Sequence, residues 1–273
     1  MTLAITGTTG NIGRRVLDQL ADLAPRLIVR NPAKTPEGFE VAVTEYGDSA
    51  SALTALRGVD VLFMVSGSES PVRRQQHRTF IAAAAEAGVQ QIVYTSFFGA
   101  SPDAAFTLAR DHADAEAAIR DSGMEHTILR DNLYLDFFPL FADESGVIRG
   151  PAGEGRAAGV ARADVADAAA AILRDPEAHR GALYDLTGPE AVTLGEAAAR
   201  METALGRPFR FEQETLPEAY ASRRKFTDEQ WQLDAWVSTY TAIAAGELER
   251  VTDDIPTLTG HPARTLEQAI TGE

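Results

Sequence analysis

Two kinds of hydrophobic pattern alternate along the first half of the chain. Six short apolar runs predict strands at residues 3–6, 26–30, 39–43, 59–65, 91–96 and 125–130. Longer stretches with apolar residues at helical spacing predict helices at residues 14–23, 73–88 and 106–122. Strands that alternate with helices in this way are typical of a doubly wound parallel sheet, so the pattern predicts an α/β fold.

The pattern changes after Gly146, where strands become shorter and less regular. We expect a loop at 150–155, short strands at 156–161, 182–186 and 209–213, and helix caps at Asp164 and Thr193. A further helix at 231–246 would place four residues on one packed face: Trp236, Tyr240, Ile243 and Ala244. Because no flexible linker interrupts the chain, residues 1–145 are expected to form the core and residues 146–273 a smaller α/β lobe of the same domain. If the core binds a dinucleotide, as the next motif indicates, this lobe would cover the substrate.

Three glycines, Gly7, Gly10 and Gly13, lie between the first predicted strand and the first helix. In a Gly-x-x-Gly-x-x-Gly turn of the Rossmann type, Gly7 would permit the turn, Gly10 would let backbone N–H groups approach a pyrophosphate, and Gly13 would let the helix pack closely. The helix N-terminus adds a partial positive charge. The predicted phosphate-binding residues are Gly7, Thr9, Gly10, Asn11, Ile12 and Gly13. The alternative is a glycine-rich turn that binds no ligand.

Basic residues follow the second predicted strand, where many NAD enzymes carry an acidic residue that binds the ribose 2′-hydroxyl. Here Arg30 ends the strand and Lys34 lies close behind, so a 2′-phosphate is favoured and NADPH is expected rather than NADH. The alternative is that both are ordinary surface charges. Asp48, beyond the third strand, would bind the adenine amino group, cap the following helix, or do both.

Ligands of open parallel sheets enter at the carboxyl ends of the strands. Four further cofactor-binding candidates lie at the ends of the fourth and fifth strands: Ser66, Gly67, Thr95 and Ser96. Five candidates for the acceptor site follow the fifth and sixth strands: Phe97, Phe98, Asn132, Leu133 and Tyr134. The aromatic residues would form walls for a flat acceptor, although aromatic residues also serve as simple core.

Composition excludes several classes of function. The 273 residues carry a formal net charge of −15, which opposes binding to a polyanion such as nucleic acid. There is no cysteine, so disulfides and thiolate chemistry are excluded, and no metal site is expected. Neither a signal peptide nor a membrane-spanning stretch is recognised. We expect a cytoplasmic monomer or homodimer.

Taken together, the motifs resemble the NmrA-like atypical short-chain dehydrogenase/reductases, in the branch of the bacterial NAD(P)H:quinone oxidoreductases of type 2 and triphenylmethane reductase. The matching segments are Thr6–Gly13, Val29–Lys34, Tyr46–Asp48, Tyr94–Ser96, His112-x-x-x-Glu116, Ser122-Gly123, Leu129-Arg-x-x-x-Tyr134 and Arg162–Asp164. The resemblance covers nearly the whole chain. It departs at Asp131, where the family usually has Asn, and in a shorter segment between Lys34 and Phe39.

The absence of one catalytic residue pair restricts the class of acceptor that the protein is expected to reduce. Short-chain carbonyl reductases use Tyr-x-x-x-Lys to protonate an alkoxide. The chain has two lysines, Lys34 and Lys225, and the residues four positions earlier are Arg30 and Ala221. The dyad is therefore absent, which favours small hydrophobic acceptors that are already electron-poor, such as quinones.

The remaining acid–base candidates lie on the helix predicted at residues 106–122. His112 and Glu116 stand four residues apart on one face, so we expect His112 to donate a proton or polarise the acceptor, Glu116 to orient it, and Tyr134 to contribute from the sixth strand. The alternative is an ordinary surface pair. The predicted function is thus an NADPH-dependent oxidoreductase of quinone-like acceptors, and the alternative is a non-catalytic NADP(H)-sensing regulatory protein.

Overall fold

The computed structural model describes residues 1–272 of the chain. The strands are β1 (Leu3–Thr6), β2 (Arg26–Val29), β3 (Val41–Val43), β4 (Val61–Met64), β5 (Gln91–Phe97), β6 (Glu125–Asp131), β7 (Val147–Gly150), β8 (Arg156–Ala157), β9 (Leu183–Leu186), β10 (Val192–Thr193) and β11 (Arg210–Gln213). The α-helices are α1 (Asn11–Gln19), α2 (Ser49–Leu56), α3 (Arg73–Glu86), α4 (Thr107–Asp121), α5 (Arg162–Arg174), α6 (Leu194–Leu205), α7 (Leu216–Arg223), α8 (Gln230–Ala244), α9 (Asp254–Thr259) and α10 (Leu266–Thr271). Short 3₁₀ helices lie at Ala21–Leu23, Pro32–Lys34, Leu135–Phe141 and Pro176–His179.

Seven strands form one sheet in the order β3-β2-β1-β4-β5-β6-β9. The β1 strand pairs in parallel with β2 on one side and with β4 on the other. The chain therefore winds outward in both directions from the gap between β1 and β4, which is the topological switch point where such sheets bind ligands. The predicted Rossmann-type α/β fold is confirmed.

The described chain divides into two compact units that are each discontinuous in sequence. The first contains residues 1–97, 111–130 and 165–184, and the second contains residues 98–110, 131–164 and 185–272. The sequence suggested one boundary at 145/146, because hydrophobic periodicity changes there. It gave no sign that the chain crosses between the units several times.

Apolar side chains from both faces of the sheet build the core of the first unit. Fully buried Phe80, Ile92 and Tyr94 pack there with alanines of α2 and α3, which keep the helices close to the sheet. Among residues 1–272, no helix is both long and apolar enough to cross a membrane.

The second unit contains a strand that was not predicted. Residues Val147–Gly150 form β7, which pairs in parallel with β11. The buried side chains of Val147 and Ile148 pack it into the core. Gly150 is required because a Cβ there would lie 2.2 Å from a ring carbon of Tyr240. The run was too short, and too close to glycines, for its pattern to indicate a strand.

Side-chain caps set several helix starts. Asp48 accepts a hydrogen bond from the Ser51 backbone and caps α2, and Thr193 caps α6 in a capping box with Glu196, so both predicted caps are confirmed. The predicted cap at Asp164 is wrong. Helix α5 already begins at Arg162, and the buried Asp164 carboxylate binds the Arg264 backbone and guanidinium instead.

The predicted packed face of α8 is partly confirmed. Tyr240 and Ile243 are buried, as expected, and Trp236 is half-buried. Ala244 is exposed at the end of the helix, so its assignment to that face is wrong. Ala244 is the last residue of α8, so no further helical turn holds its side chain against the core.

Candidate active site

The glycine turn after β1 has the geometry that its sequence predicted. Gly7 has a φ of +67°, and its carbonyl accepts a hydrogen bond from the Gly10 N–H at 2.8 Å. A Cβ at Gly13 would lie 2.4 Å from the Gly7 carbonyl oxygen, so only glycine lets α1 approach β1 this closely. The turn thus delivers the start of α1 to the switch point of the sheet.

The residues of this turn fit a phosphate group. Helix α1 has no side-chain cap at Gly10, which leaves backbone N–H groups of its first turn directed outward. Thr9, Gly10 and Asn11 are exposed, whereas Ile12 is buried and contributes only its backbone. Thr8 is 2% exposed, and its hydroxyl has no hydrogen-bond partner within residues 1–272. An unpartnered buried hydroxyl beside an uncapped helix start is what a dinucleotide pyrophosphate would satisfy.

Two cations lie beyond the end of β2. Arg30 and Lys34 are both exposed, and neither has an ion-pair partner in the described part of the chain, although many other arginines do. Lys34 is held in the 3₁₀ turn Pro32–Lys34, which Asn31 caps with its side chain. This arrangement leaves positive charge available for a 2′-phosphate. Asp48, the cap of α2, is exposed in the same unit.

The ends of β4 and β5 are tied together by hydrogen bonds. The Ser66 N–H donates to the Thr95 hydroxyl at 2.8 Å, and the Gly67 N–H donates to His77 Nε2 at 2.9 Å. The Ser96 hydroxyl donates to Glu116 at 2.6 Å. The Thr95 side chain therefore holds the Ser66 backbone, whereas the Ser96 side chain is bonded to Glu116 on α4. The predicted contact of both residues with the cofactor stays a prediction.

His112 lies in a buried polar cluster of the first unit. Its Nε2 is 3.0 Å from the Arg73 guanidinium, which can only donate, so Nδ1 carries the ring proton and faces the Tyr94 hydroxyl at 3.0 Å. Burial, Arg73 and His77 together lower the pKa of His112 well below its ordinary value. The imidazole is therefore neutral, and both of its nitrogens are occupied by protein groups.

Glu116 does not orient His112, which corrects the predicted pair. Its carboxylate binds Ser96, Arg120 and Arg130 instead. Burial raises the pKa of Glu116, but the bonds from Arg130, Ser96 and Arg120 outweigh it, so the pKa lies below its ordinary value. Helical spacing placed both residues on one face correctly, but it could not show that arginines from other elements would take the carboxylate.

The predicted acceptor residues have different environments. Phe97 is the last residue of β5 and is half-buried, with its ring centre 6.2 Å from that of His112. Phe98 is only 4% exposed, and the Arg250 guanidinium lies over its ring at 5.0 Å, so it does not form an open wall. Leu133 is also buried.

The Asn132 side chain connects two backbone segments of the second unit. Its side-chain amide donates to the Leu248 carbonyl at 3.0 Å and accepts from the Leu133 N–H at 2.8 Å. Both ends of the amide are therefore engaged by backbone groups. Its predicted contact with an acceptor stays a prediction.

Asp131 and Tyr134 form a close pair in the second unit. The half-buried Tyr134 donates its hydroxyl proton to Asp131 Oδ2 at 2.7 Å. Asp131 is 1% exposed, and its Oδ1 has no hydrogen-bond partner within residues 1–272. Burial raises the pKa of Asp131 to about 8, and the bond from Tyr134 lowers it only in part.

A concave site of about 360 Å³ lies wholly in the second unit. Four aromatic residues line it, namely Phe141, Phe226, Trp236 and Tyr240, together with Lys225. The Lys225 Nζ lies 4.8 Å from the Phe226 ring centre and has no ion pair among the described residues. Its walls suit a flat apolar ligand.

Several residues of these sites were missed by the sequence analysis. Thr8, Arg73 and His77 had no spacing that indicated a role, because their partners come from other elements of the fold. Asp131 did give a signal, since it stands where the family pattern has Asn. That departure pointed to the carboxyl group but could not show its burial.

Comparison with known proteins places the chain among nicotinamide-dependent reductases. A family model described as NAD(P)H-binding matches residues 7–176. Quinone oxidoreductase 2 of Escherichia coli K12 is 34% identical over 98% of this chain and 97% of its own, and the NAD(P)H azoreductase of Xenophilus azovorans is 31% identical over 97% and 95%.

Two solved structures extend the likeness to the fold. The Escherichia coli NADPH-dependent quinone oxidoreductase, complexed with NADPH, has a TM-score of 0.91 at 33% identity and covers 99% of both chains. The Citrobacter triphenylmethane reductase, complexed with NADP(H), has a TM-score of 0.87 at 29% identity, with 100% of this chain and 99% of that chain covered.

Proposed function

We propose that this chain, which belongs to the NAD(P)H-binding family of oxidoreductases, transfers hydride from NADPH to quinones and other electron-poor aromatic acceptors. The observation that carries this function is the uncapped glycine turn with its unpartnered Thr8 hydroxyl, in a chain similar over its whole length to reductases of quinones and dyes. A nucleotide site of this form is needed for both cofactor binding and turnover.

NADPH would be held by residues that follow two strands, β1 and β2. The backbone from Gly7 to Gly13 and the Thr8 hydroxyl would bind the pyrophosphate, and Arg30 with Lys34 would bind the 2′-phosphate. Both cations are exposed and have no ion pair among residues 1–272, which supports NADPH over NADH because no such pair has to break before the phosphate binds.

When bound, the reduced nicotinamide supplies a hydride. This chain's residues then have to hold an acceptor ring at about 3 to 3.5 Å from the reacting carbon, exclude water and supply any proton that the product needs. The acceptors named for the relatives are electron-poor, which agrees with the absence of a Tyr-x-x-x-Lys dyad.

His112 holds other groups in place in this proposal. Its neutral ring accepts from Arg73 and donates to Tyr94, while Arg73 also donates to the Gly67 carbonyl at 2.9 Å. His112 thereby holds Arg73 in place, and Arg73 fixes the Ser66-Gly67 loop at the end of β4. Direct donation of the Nδ1 proton to an acceptor would first require the bond to Tyr94 to break.

The test is oxidation of NADPH by the purified protein with a panel of quinones and dyes. We expect turnover, and we expect Tyr134→Ala to raise the Michaelis constant for the quinone more than that for NADPH. Tyr220→Ala is the matched control, since Tyr220 lies on α7 and binds Asp234. Tight NADPH binding without oxidation by any quinone or dye would refute the proposed function and favour a cofactor sensor.

A further inference from the structure

The carboxyl group of Asp131 is fixed in an unusual state for an acidic residue. Asp131 is the last residue of β6, and its backbone carbonyl accepts a hydrogen bond from the Phe98 N–H at 2.9 Å. The side chain of the next residue, Asn132, is bonded to the Leu248 carbonyl. One carboxyl oxygen binds Tyr134, and the other is buried without a hydrogen-bond partner in the described chain. An ionised carboxylate in that position would have one oxygen uncompensated, which is costly.

Within the part of the chain that the structure describes, the neighbouring cations are paired with other groups. Arg250, which covers the Phe98 ring, pairs with Asp185, and the preceding residue Arg130 pairs with Glu116. Among the groups described, Tyr134 is the one titratable partner that affects the pKa of Asp131, which burial raises to about 8. Asp131 is therefore a carboxylic acid at neutral pH and carries a proton next to the Tyr134 hydroxyl.

We propose that Tyr134 donates a proton to the reduced acceptor and that the Asp131 carboxylic acid, hydrogen-bonded behind it, returns a proton to Tyr134. This relay rests on the proposed function, and it names the proton source that the missing Tyr-x-x-x-Lys dyad would otherwise supply. Tyr134 is the residue that contacts the acceptor. Asp131 acts through Tyr134.

The step balances without a further reactant. A quinone gains two electrons and one hydrogen as hydride from NADPH, and it becomes a hydroquinone when one oxygen also gains a proton. The 2.7 Å contact is then used with Asp131 as the donor. The Tyr134 proton leaves for the acceptor, the proton on Asp131 Oδ2 moves to the Tyr134 oxygen, and Asp131 is left as a carboxylate that accepts from Tyr134. Solvent then protonates Asp131 again before the next turnover.

Acceptors that differ in their need for a proton test the relay. A quinone or an azo compound needs a proton after hydride transfer, whereas a cationic triphenylmethane dye becomes a neutral product by hydride alone. We expect Asp131→Asn to lower the ratio of quinone to dye turnover by roughly tenfold or more, a general-acid effect at the low end. We also expect the wild-type quinone rate to fall above about pH 8 and the variant to lose that fall.

Two further variants separate the relay from a structural effect. Tyr134→Phe keeps the ring but removes the hydroxyl, so it should lower the same ratio, while exposed Asp228→Asn should leave it unchanged. Equal losses with quinone and dye in Asp131→Asn, or an unchanged pH profile, would overturn the relay. Absence of turnover by the wild type with every acceptor would instead refute the proposed function itself.

A spectroscopic measurement tests the relay without turnover. Infrared difference spectra of wild type against Asp131→Asn, with no cofactor present, should show a protonated carboxyl band at neutral pH that disappears above about pH 8. The Tyr134→Phe variant should retain the band, because burial keeps the acid neutral. A carboxylate band for Asp131 at neutral pH would overturn the relay whatever the kinetics show.

Discussion

Replacing Asp131 by Asn should make the protein's stability less dependent on pH. The asparagine oxygen can still accept the Tyr134 hydroxyl proton, while its NH₂ group takes the place of the unpartnered oxygen. That buried NH₂ costs about 1–3 kcal/mol at every pH, which shifts the variant's stability by a constant amount. The pH-dependent part comes only from the ionisation that the variant has lost.

The sign follows from the two pKa values. In the unfolded chain Asp131 has its ordinary pKa of 3.8, and in the folded protein burial raises that pKa to about 8. Between these values the unfolded state has released a proton that the folded state keeps, so the free energy of unfolding falls as pH rises. Each pH unit in this window is worth about 1.4 kcal/mol, so wild type should lose about 3 to 4 kcal/mol relative to Asp131→Asn from about pH 5 to about pH 8.

Urea denaturation at several pH values measures this difference directly. Wild type, Asp131→Asn and the exposed control Asp228→Asn should be compared. Wild type and Asp228→Asn both retain Asp131, so the pH dependence of their unfolding free energies should be parallel. A constant difference in unfolding free energy between wild type and Asp131→Asn from about pH 5 to about pH 8 would refute the reasoning. It would mean that Asp131 is ionised in the folded protein and is compensated by a group that the geometry does not provide.

Three further substitutions test the rest of the site. Arg30→Ala should weaken NADPH binding by about 10- to 100-fold and NADH binding little, because a charge-assisted bond is worth about 1.5–3 kcal/mol; equal losses in titrations of both cofactors would contradict this. Gly13→Ala should abolish cofactor binding or folding, since its Cβ would lie 2.4 Å from the Gly7 oxygen, and a stable variant with full NADPH affinity would count against the close approach. His112→Ala should lower the free energy of unfolding by about 1–3 kcal/mol, because it strands the buried Arg73 donor. It should lower turnover by about 100-fold or less through misplacement of the Ser66-Gly67 loop while NADPH still binds, and unchanged stability in urea would show that the cluster does not hold the loop.

The fold could be predicted from the sequence where residues act locally. The glycine turn and the caps at Asp48 and Thr193 each depend on neighbours within a few positions, and the alternation of strands with helices indicated a doubly wound sheet. Asp164 failed for the opposite reason. Its partner Arg264 is 100 residues away in sequence, so the local pattern could only suggest a cap.

The same distinction applies to the site. The position of Arg30 was predictable because the residue follows β2 directly, while its contact with a 2′-phosphate stays a prediction. The partners of His112 were not, because Arg73 begins α3 and Tyr94 lies within β5. Spacing along one helix offered Glu116 as the partner, and long-range packing gave that carboxylate to Arg130 instead. Predictions of pairs therefore failed where competing partners came from distant elements.

Asp131 stands where the resemblance to the family predicts Asn, and this difference bears on proton transfer to the acceptor. An asparagine there could bind Tyr134 but could not supply a proton, whereas a buried carboxylic acid does both. Cationic dyes need no proton and quinones need one, while azo compounds yield basic nitrogen anions that depend on protonation most strongly. If the carboxyl was retained for its proton, its effect should increase in that order of acceptors. The substitution of one amide by an acid would then shift acceptor preference without any change in the walls of the site.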